Sequence, residues 1–422
     1  MIIWVMKFTS DALSLIDEVY TLSLEAKKII HQYVHKTPLI TNMTLNNIVG
    51  RTVYLKLENM QKTGSFKVRG ALFKIYKLIQ EYKSRGEPLP GVVAASSGNH
   101  AQGVAYAARM FGIPAIIVMP KTASATKINA TKSYGAQVVL YGEIYDEAYE
   151  KAIEISRSKN YVFIHPYDDP MVMAGQATIG HEIIDEISNP AAVLVPIGGG
   201  GLISGIAVAI KKRSPSTKII GVQPENAAGM LYMLNNKLNE YIPRPSIADG
   251  VMVKKPGDLT SKIVRELVDD IVIVDEESIS YAINFLLERA KIIAEGAGAL
   301  PIAALLSKRY TPLKDPVIAV ISGGNIDPTL LSRIIIHELA KDHRLVSIVG
   351  ELMDRPGELG KVIEVLARHG LNIVDIRHDR WDPRLLPSMA KLEIIFEAKT
   401  LTDVEEALRE LRSKGFKFII KS

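Results

Sequence analysis

The chain has no cysteine among its 422 residues. Disulfides, thiolate metal sites, iron–sulfur clusters and cysteine nucleophiles are excluded together, and a reducing cytoplasm fits. An excess of one charge is missing too: 51 Lys and Arg face 46 Asp and Glu, and the net +5 forms no block of like charge. Nucleic-acid surfaces need clustered Lys and Arg, so no nucleic-acid partner is expected. No apolar run approaches the roughly 20 residues of a membrane span, and Met1–Met6 is too short for a secretory segment. Met6, followed by Lys7 and polar sequence, reads as the start of the working chain. Internal repeats and low-complexity tracts are absent. What is present is 47% hydrophobic residues with 30 glycines and 21 prolines, enough for a large core in two or three domains.

From about residue 50 to 340, short β-branched runs alternate with helical patterns. The runs are 91–95, 115–119, 137–141, 161–164, 192–196, 218–222, 271–274 and 317–321. Each is continuously apolar, as in strands of a parallel sheet buried on both faces. Helical patterns lie at 100–110, 145–158, 175–188, 202–213 and 278–294. This order predicts an open α/β fold with ligands at the carboxyl ends of its strands. Eight runs are many for a single sheet, so two lobes are expected, the smaller at about 53–165 inserted in the larger. After a helix at 329–341 the pattern becomes βαββαβ, a ferredoxin-like plan. The boundary is placed near Asp342, giving domains 1–341 and 342–422.

Four segments carry candidate chemistry. Thr63-Gly64-Ser65-Phe66-Lys67-Val68-Arg69-Gly70-Ala71 puts a lysine at a helix start, beside an aromatic ring and a second cation. A helix N-terminus and a neighbouring cation both lower a lysine pKa, making the amine a better nucleophile toward a carbonyl. Gly64 and Gly70 read as allowing close approach of a ligand. Ser96-Ser97-Gly98-Asn99-His100 opens a helix after a strand, which makes either an anion cradle or an ordinary N-cap. Gly198-Gly199-Gly200-Gly201-Leu202 also joins a strand to a helix, and free N–H groups there suit a phosphate. It lacks the Gly-Lys-Ser/Thr of a Walker loop and the downstream acid of a dinucleotide fingerprint. Ser322-Gly323-Gly324-Asn325 is a tight strand-to-helix turn.

Taken together and in this order, the four segments resemble the threonine dehydratase family of pyridoxal 5'-phosphate enzymes, over about residues 25 to 340. The C-terminal 75 or so residues resemble an ACT domain. The resemblance implies a two-lobed fold of type II and conversion of L-threonine to 2-oxobutanoate and ammonia, with L-serine as a slower substrate. Lys67 would bond the cofactor aldehyde and move the Cα proton. Phe66 would lie near the pyridine ring, and Asn99 would hydrogen-bond its phenolic oxygen. Gly198, Gly199, Gly200, Gly201 and Leu202 would bind the phosphate. Ser96, Ser97, Gly98, Asn99 and His100 would line the substrate pocket, Ser97 being the position of a second acid/base in serine racemase. Ser322 would meet the pyridine nitrogen; a hydroxyl is too weak an acid to protonate it, which favours elimination over transamination.

The resemblance also implies regulation. Asp354, Pro356, Gly357 and Asn372 match positions that hold an amino-acid effector where ACT domains pair, and isoleucine feedback would place the enzyme at the start of isoleucine synthesis. A cytoplasmic homo-oligomer, dimer or tetramer, is expected. Where relatives hold a cation, Gln223 and Gly229 offer no carboxylate, so no metal is expected, although Glu225 stands nearby. Glu295 reads either as a residue reaching the ring or as a surface position at a helix C-terminus. Alternatives are a serine racemase or serine dehydratase of the same family, or an inactive amino-acid sensor. Val68 stands where threonine and cysteine synthases usually carry aspartate, which argues against those.

Overall fold

The computed structural model describes residues 10–421; the reading of Met6 as a start lies outside the described residues. The chain divides into two compact units, Met1–Asp327 and Pro328–Ser422. The dividing point precedes the helix Pro328–Lys341, where the sequence reading puts it after that helix.

The described residues of the first unit form ten strands. They are β1 (Leu39–Thr41), β2 (Val53–Leu57), β3 (Val92–Ala95), β4 (Ala115–Met119), β5 (Gln137–Leu140), β6 (Val162–Phe163), β7 (Ala192–Pro196), β8 (Lys218–Pro224), β9 (Asp270–Val274) and β10 (Val317–Ile321). Six pair in the order β1-β2-β10-β7-β8-β9, and β3 to β6 pair separately as β5-β4-β3-β6. All pairings are parallel except β1 with β2. β3, β7 and β10 are buried along their whole length, which is why they are unbroken apolar runs. β2, which the sequence reading puts at the opening of the smaller lobe, pairs with β10 in the six-stranded sheet.

Several helices depart from their sequence-predicted spans for identifiable reasons. Pro170–Glu186 begins five residues earlier than expected because Asp169 accepts from the N–H groups of Met171 and Val172, with Pro170 at the first helical position. The pattern at 278–294 is a helix over Glu276–Phe285 and a π-turn over Leu286–Ala290, stopped by Lys291 at φ 60°. The helix Ser10–Ile30 packs its apolar side into unit 1, with Val19, Ala26 and Ile30 fully buried.

Gly70 does not serve a ligand. It lies where the Lys67 helix (Lys67–Ser84) crosses Pro170–Glu186: a Cβ on Gly175 would fall 2.5 Å from Gly70 Cα, and one on Gly70 would meet Val172 O at 2.7 Å. A Cβ on Gly103 would sit 3.1 Å from the backbone of Lys67. These close crossings seat the first turn of the Lys67 helix between two others.

The second unit carries β11 (Leu345–Met353), β12 (Asn372–Asp379), β13 (Met389–Glu397) and β14 (Lys417–Ile420), in an antiparallel sheet ordered β12-β13-β11-β14. Helices Glu358–Arg368 and Leu401–Ser413 complete the expected βαββαβ plan. Their apolar faces and alternate strand residues, among them Ile348, Leu392, Phe396, Val362 and Leu411, make its core.

Candidate active site

The four sequence segments converge at carboxyl ends of strands in the first unit. Ser96–His100 follows β3, Gly198–Leu202 follows β7 and Ser322–Asn325 follows β10. The Lys67 segment is zipped to the last of these: Phe66 N–H donates to Ser322 O at 3.1 Å, Gly324 N–H donates to Gly64 O at 2.9 Å, and Ser65 bridges Gly323 between them. Gly64 has φ +70°, and a Cβ there would fall 2.3 Å from Asn325 Oδ1, so this glycine serves the joint between two segments.

Lys67 is the first residue of its helix, and its Nζ donates to Pro166 O at 2.9 Å. The ammonium lies 5.2 Å from the centroid of Phe66 and 6.0 Å from that of Tyr167. Burial pushes its pKa down to about 8, against the opposing pull of Glu295. Arg69 is not the cause that the sequence suggests. Its guanidinium is fully buried and bound to Glu58 and Glu182, which neutralises it toward Lys67.

Asn99 opens the helix Asn99–Met110; its Nδ2 donates to Glu295 Oε1 at 2.7 Å, and its Oδ1 accepts from Asn325 Nδ2 at 2.7 Å. Glu295 is the buried N-cap residue of Gly296–Leu306, at the site and not on a helix C-terminal surface. Its pKa is pushed up to about 7, by burial first and then by Asp249. His100 is buried and donates from Nε2 to Ile164 O at 2.9 Å, because a carbonyl can only accept. Burial and then the Lys67 charge press its pKa down to about 3, so it is a neutral wall of the pocket. Ser96 Oγ accepts from Gly98 N–H at 3.2 Å, and Ser96, Ser97 and Gly98 are half-buried.

The glycine tetrad turns at Gly200, with φ +96°, into the helix Gly201–Arg213. Thr260 Oγ1 and Gly257 N–H both donate to Gly199 O, at 2.6 and 3.2 Å. Among the described residues nothing accepts from the N–H groups of Gly198, Gly199, Gly200 or Gly201. Buried N–H groups are seldom left unpaired, so the turn is built as an anion cradle and fits a phosphate. A depressed lysine and this cradle suit an aldehyde and a phosphate on one molecule, the two ends of pyridoxal phosphate.

Sequence reasoning missed Tyr167. A Cβ on Gly199 would fall 2.4 Å from its ring, and its hydroxyl donates to Lys255 O at 2.9 Å. The neighbouring Asp168 accepts from the N–H groups of Asp258, Leu259 and Thr260, holding the helix that supports the tetrad. The available signal was position: His165 to Asp169 follow β6, at the same carboxyl edge. Gln223 is spent on structure, donating to Ile197 O and Ala227 O and accepting from Leu231 N–H.

The effector positions do not meet within one chain. Asn372 stands opposite Glu397, which pairs with Leu345 at the start of β11, whereas Asp354, Pro356 and Gly357 follow its end. Eight residues of strand separate the two levels, about 26 Å at about 3.3 Å each. Asp354 pairs with Arg380 at 3.1 Å, and Gly357 caps Glu358–Arg368 at φ +91°.

Residues 30–323 match the model of the pyridoxal-phosphate dependent enzyme family, and residues 347–416 match the ACT domain. An L-threonine ammonia-lyase of Thermotoga maritima is 48% identical over 393 residues, covering 93% of this chain and 96% of that protein. A threonine deaminase of T.th. superposes with a TM-score of 0.67 at 40% identity, over 73% of this chain and 98% of that one. Maize serine racemase does so with a TM-score of 0.69 at 34% identity, over 77% and 98%.

Proposed function

The chain belongs to the pyridoxal-phosphate-dependent enzyme family, and from that premise we propose that it is a threonine ammonia-lyase carrying an ACT domain. The observation that carries this reading is the 48% identity to an L-threonine ammonia-lyase, which runs across both units.

When bound, pyridoxal phosphate supplies an aldehyde that bonds an amine and a ring that takes up the electrons released at Cα. Lys67 would supply the amine that holds the aldehyde and, with its amine free, the base for the substrate Cα proton. Gly198 to Leu202 would hold the phosphate with backbone N–H groups, and Phe66 and Tyr167 frame the Lys67 amine. Asn99, whose Nδ2 has one proton beyond the one given to Glu295, would supply an N–H to the cofactor's phenolic oxygen, and Ser322, just after β10, would supply a hydroxyl to the ring nitrogen. Ser96, Ser97 and Gly98, at a helix N-terminus, gather the substrate carboxylate, with neutral His100 behind them.

A depressed Lys67 pKa has a direct consequence. Only the neutral amine attacks an aldehyde, so capture of pyridoxal phosphate by the apo-protein, trapped with borohydride, should rise with pH around a midpoint of about 8. A lysine in water would give about 10.4. A midpoint above 10 would remove the argument from burial. Because the folded value is the lower one, the unfolded chain binds more protons between the two values. The stability contributed by this group is therefore least below pH 8 and rises with pH through that window.

Purified holoenzyme should form 2-oxobutanoate from L-threonine, and pyruvate more slowly from L-serine. If the ACT domain senses isoleucine, that amino acid should raise the apparent KM for threonine by about 5–150-fold, the usual range of allosteric coupling. Threonine turnover indifferent to isoleucine would keep the enzyme and discard the effector. The likeness to maize serine racemase supports a second reading; D-serine from L-serine, without 2-oxobutanoate from threonine, would establish it instead. The described residues contain no helix long and apolar enough to cross a membrane. A cytoplasmic homo-oligomer at the start of isoleucine synthesis is the setting that suits this activity.

A further inference from the structure

The Ser322–Asn325 turn contributes more than a hydroxyl at Ser322. Asn325 Nδ2 donates twice, to Thr63 O at 2.8 Å and to Asn99 Oδ1 at 2.7 Å. The first acceptor is a backbone carbonyl, which cannot donate, so Asn325 must face Thr63 with its NH₂ group. That group has two protons, and among the described residues the second meets Asn99. Asn99 must then turn its oxygen toward Asn325 and its nitrogen toward Glu295, whose Oε1 accepts at 2.7 Å. One proton of Asn99 Nδ2 is left over. The direction of the whole chain of donors is thus fixed at its far end by a main-chain carbonyl, from Thr63 through Asn325 and Asn99 to Glu295.

We propose that Asn325 is a positioning residue that locks the Asn99 amide in one orientation, so that a free N–H always faces the cofactor's phenolic oxygen. The inference rests on the reading of this site as a pyridoxal-phosphate site. An unlocked asparagine can present either its oxygen or its nitrogen at small cost, and the oxygen would repel a phenolate. Asn325 is itself held: Gly64 leaves room for its Oδ1 where a Cβ would stand at 2.3 Å, and the Gly324–Gly64 backbone bond closes the turn around it. Placement of this donor therefore requires glycine at 64, asparagine at 325 and an acceptor at 295, three positions far apart in sequence.

The test uses holoenzyme of Asn325→Asp and Asn325→Leu, both close to asparagine in size. An introduced carboxylate can only accept, so Asn99 should swing its N–H toward it and away from the ring. A leucine removes the lock altogether. The pH midpoint of the bound cofactor's visible absorption band, read without substrate, should move by about one unit, the tenfold change expected from loss of one hydrogen bond to a charged oxygen. The kcat for threonine should fall about tenfold with KM altered much less, and adding Asn325→Leu to Asn99→Ala should cause little further change. An unmoved midpoint in both variants, or full additivity with Asn99→Ala, would overturn the proposal. Should Asn325→Leu fail to fold, Asn325→Asp carries the test. The spectral arm also separates this inference from the substrate reading: a shifted midpoint in a protein that leaves threonine untouched keeps the lock and discards only the substrate.

Discussion

Replacing Lys67 by alanine should lower L-threonine deamination by at least about 100-fold, with the protein still folded. Positioned general acid–base groups contribute roughly 10²–10⁴-fold, and this amine is also the one that would hold the cofactor. The alternatives in the neighbourhood are poor. His100 is neutral, with its Nε2 committed to Ile164 O. His165 Nδ1 accepts from Asp168 N–H at 2.8 Å, and burial lowers its pKa. Folding should survive because alanine is the best helix former and the lost amine is one that burial already disfavours as a cation. Compared as cofactor-free proteins, the variant's Tm should therefore stay level or rise slightly, and after incubation with pyridoxal phosphate the yellow colour of a covalently held cofactor should be missing. Arginine in place of Lys67 should be no better than alanine, since its guanidinium keeps its proton. Retention of more than a few per cent of the turnover by Lys67→Ala would assign the proton transfer elsewhere.

Much of this site was legible in the sequence because backbone geometry is concentrated at glycine-rich turns after apolar runs. β7 followed by Gly198–Leu202, β3 followed by Ser96–His100 and β10 followed by Ser322–Asn325 all stand where the runs end. What could not be read is what depends on pairing across the fold. β2 is a five-residue run that acquires its place only by lying beside β10. Tyr167 is marked only by following β6, and becomes part of the site because its ring packs on Gly199, which follows a strand of the other sheet. Asn325 was visible as the last residue of a turn, but its partners, Thr63 and Asn99, are more than 200 residues away in the chain. Arg69 misled for the same reason: a cation two residues from Lys67 suggests electrostatic tuning until its two carboxylate partners are in view.

Those partners make Arg69 the other position of large expected effect. Its Nε and Nη2 donate to Glu58, both at 2.8 Å, and Nη1 and Nη2 donate to Glu182 at 2.6 and 3.0 Å. Lys56 Nζ donates to Glu182 Oε2 at 2.6 Å and to Thr37 O at 2.7 Å, and Thr37 Oγ1 donates to Glu58 Oε1 at 2.5 Å. Two cations and two anions are thus buried together with almost no exposure. Burial alone would lower the Arg69 pKa, but Glu58 and Glu182 more than offset it and hold it above its ordinary range. Burial would raise that of Glu182, and Arg69 and Lys56 hold it down. Arg69→Met would leave two buried carboxylates facing one lysine, and breaking such a pair costs about 3–5 kcal/mol. For a unit of this size the melting temperature should drop by roughly 4–7 °C. Because the cluster ties the first turn of the Lys67 helix to Glu58 and to Pro170–Glu186, activity should fall with stability. Glu182→Gln should also destabilise, and the two together should cost less than their sum, since each removes the other's reason to be charged. Thermal unfolding of the four proteins decides it: an Arg69→Met variant as stable as the parent, or strict additivity, would mean that the four charges do not act as one unit.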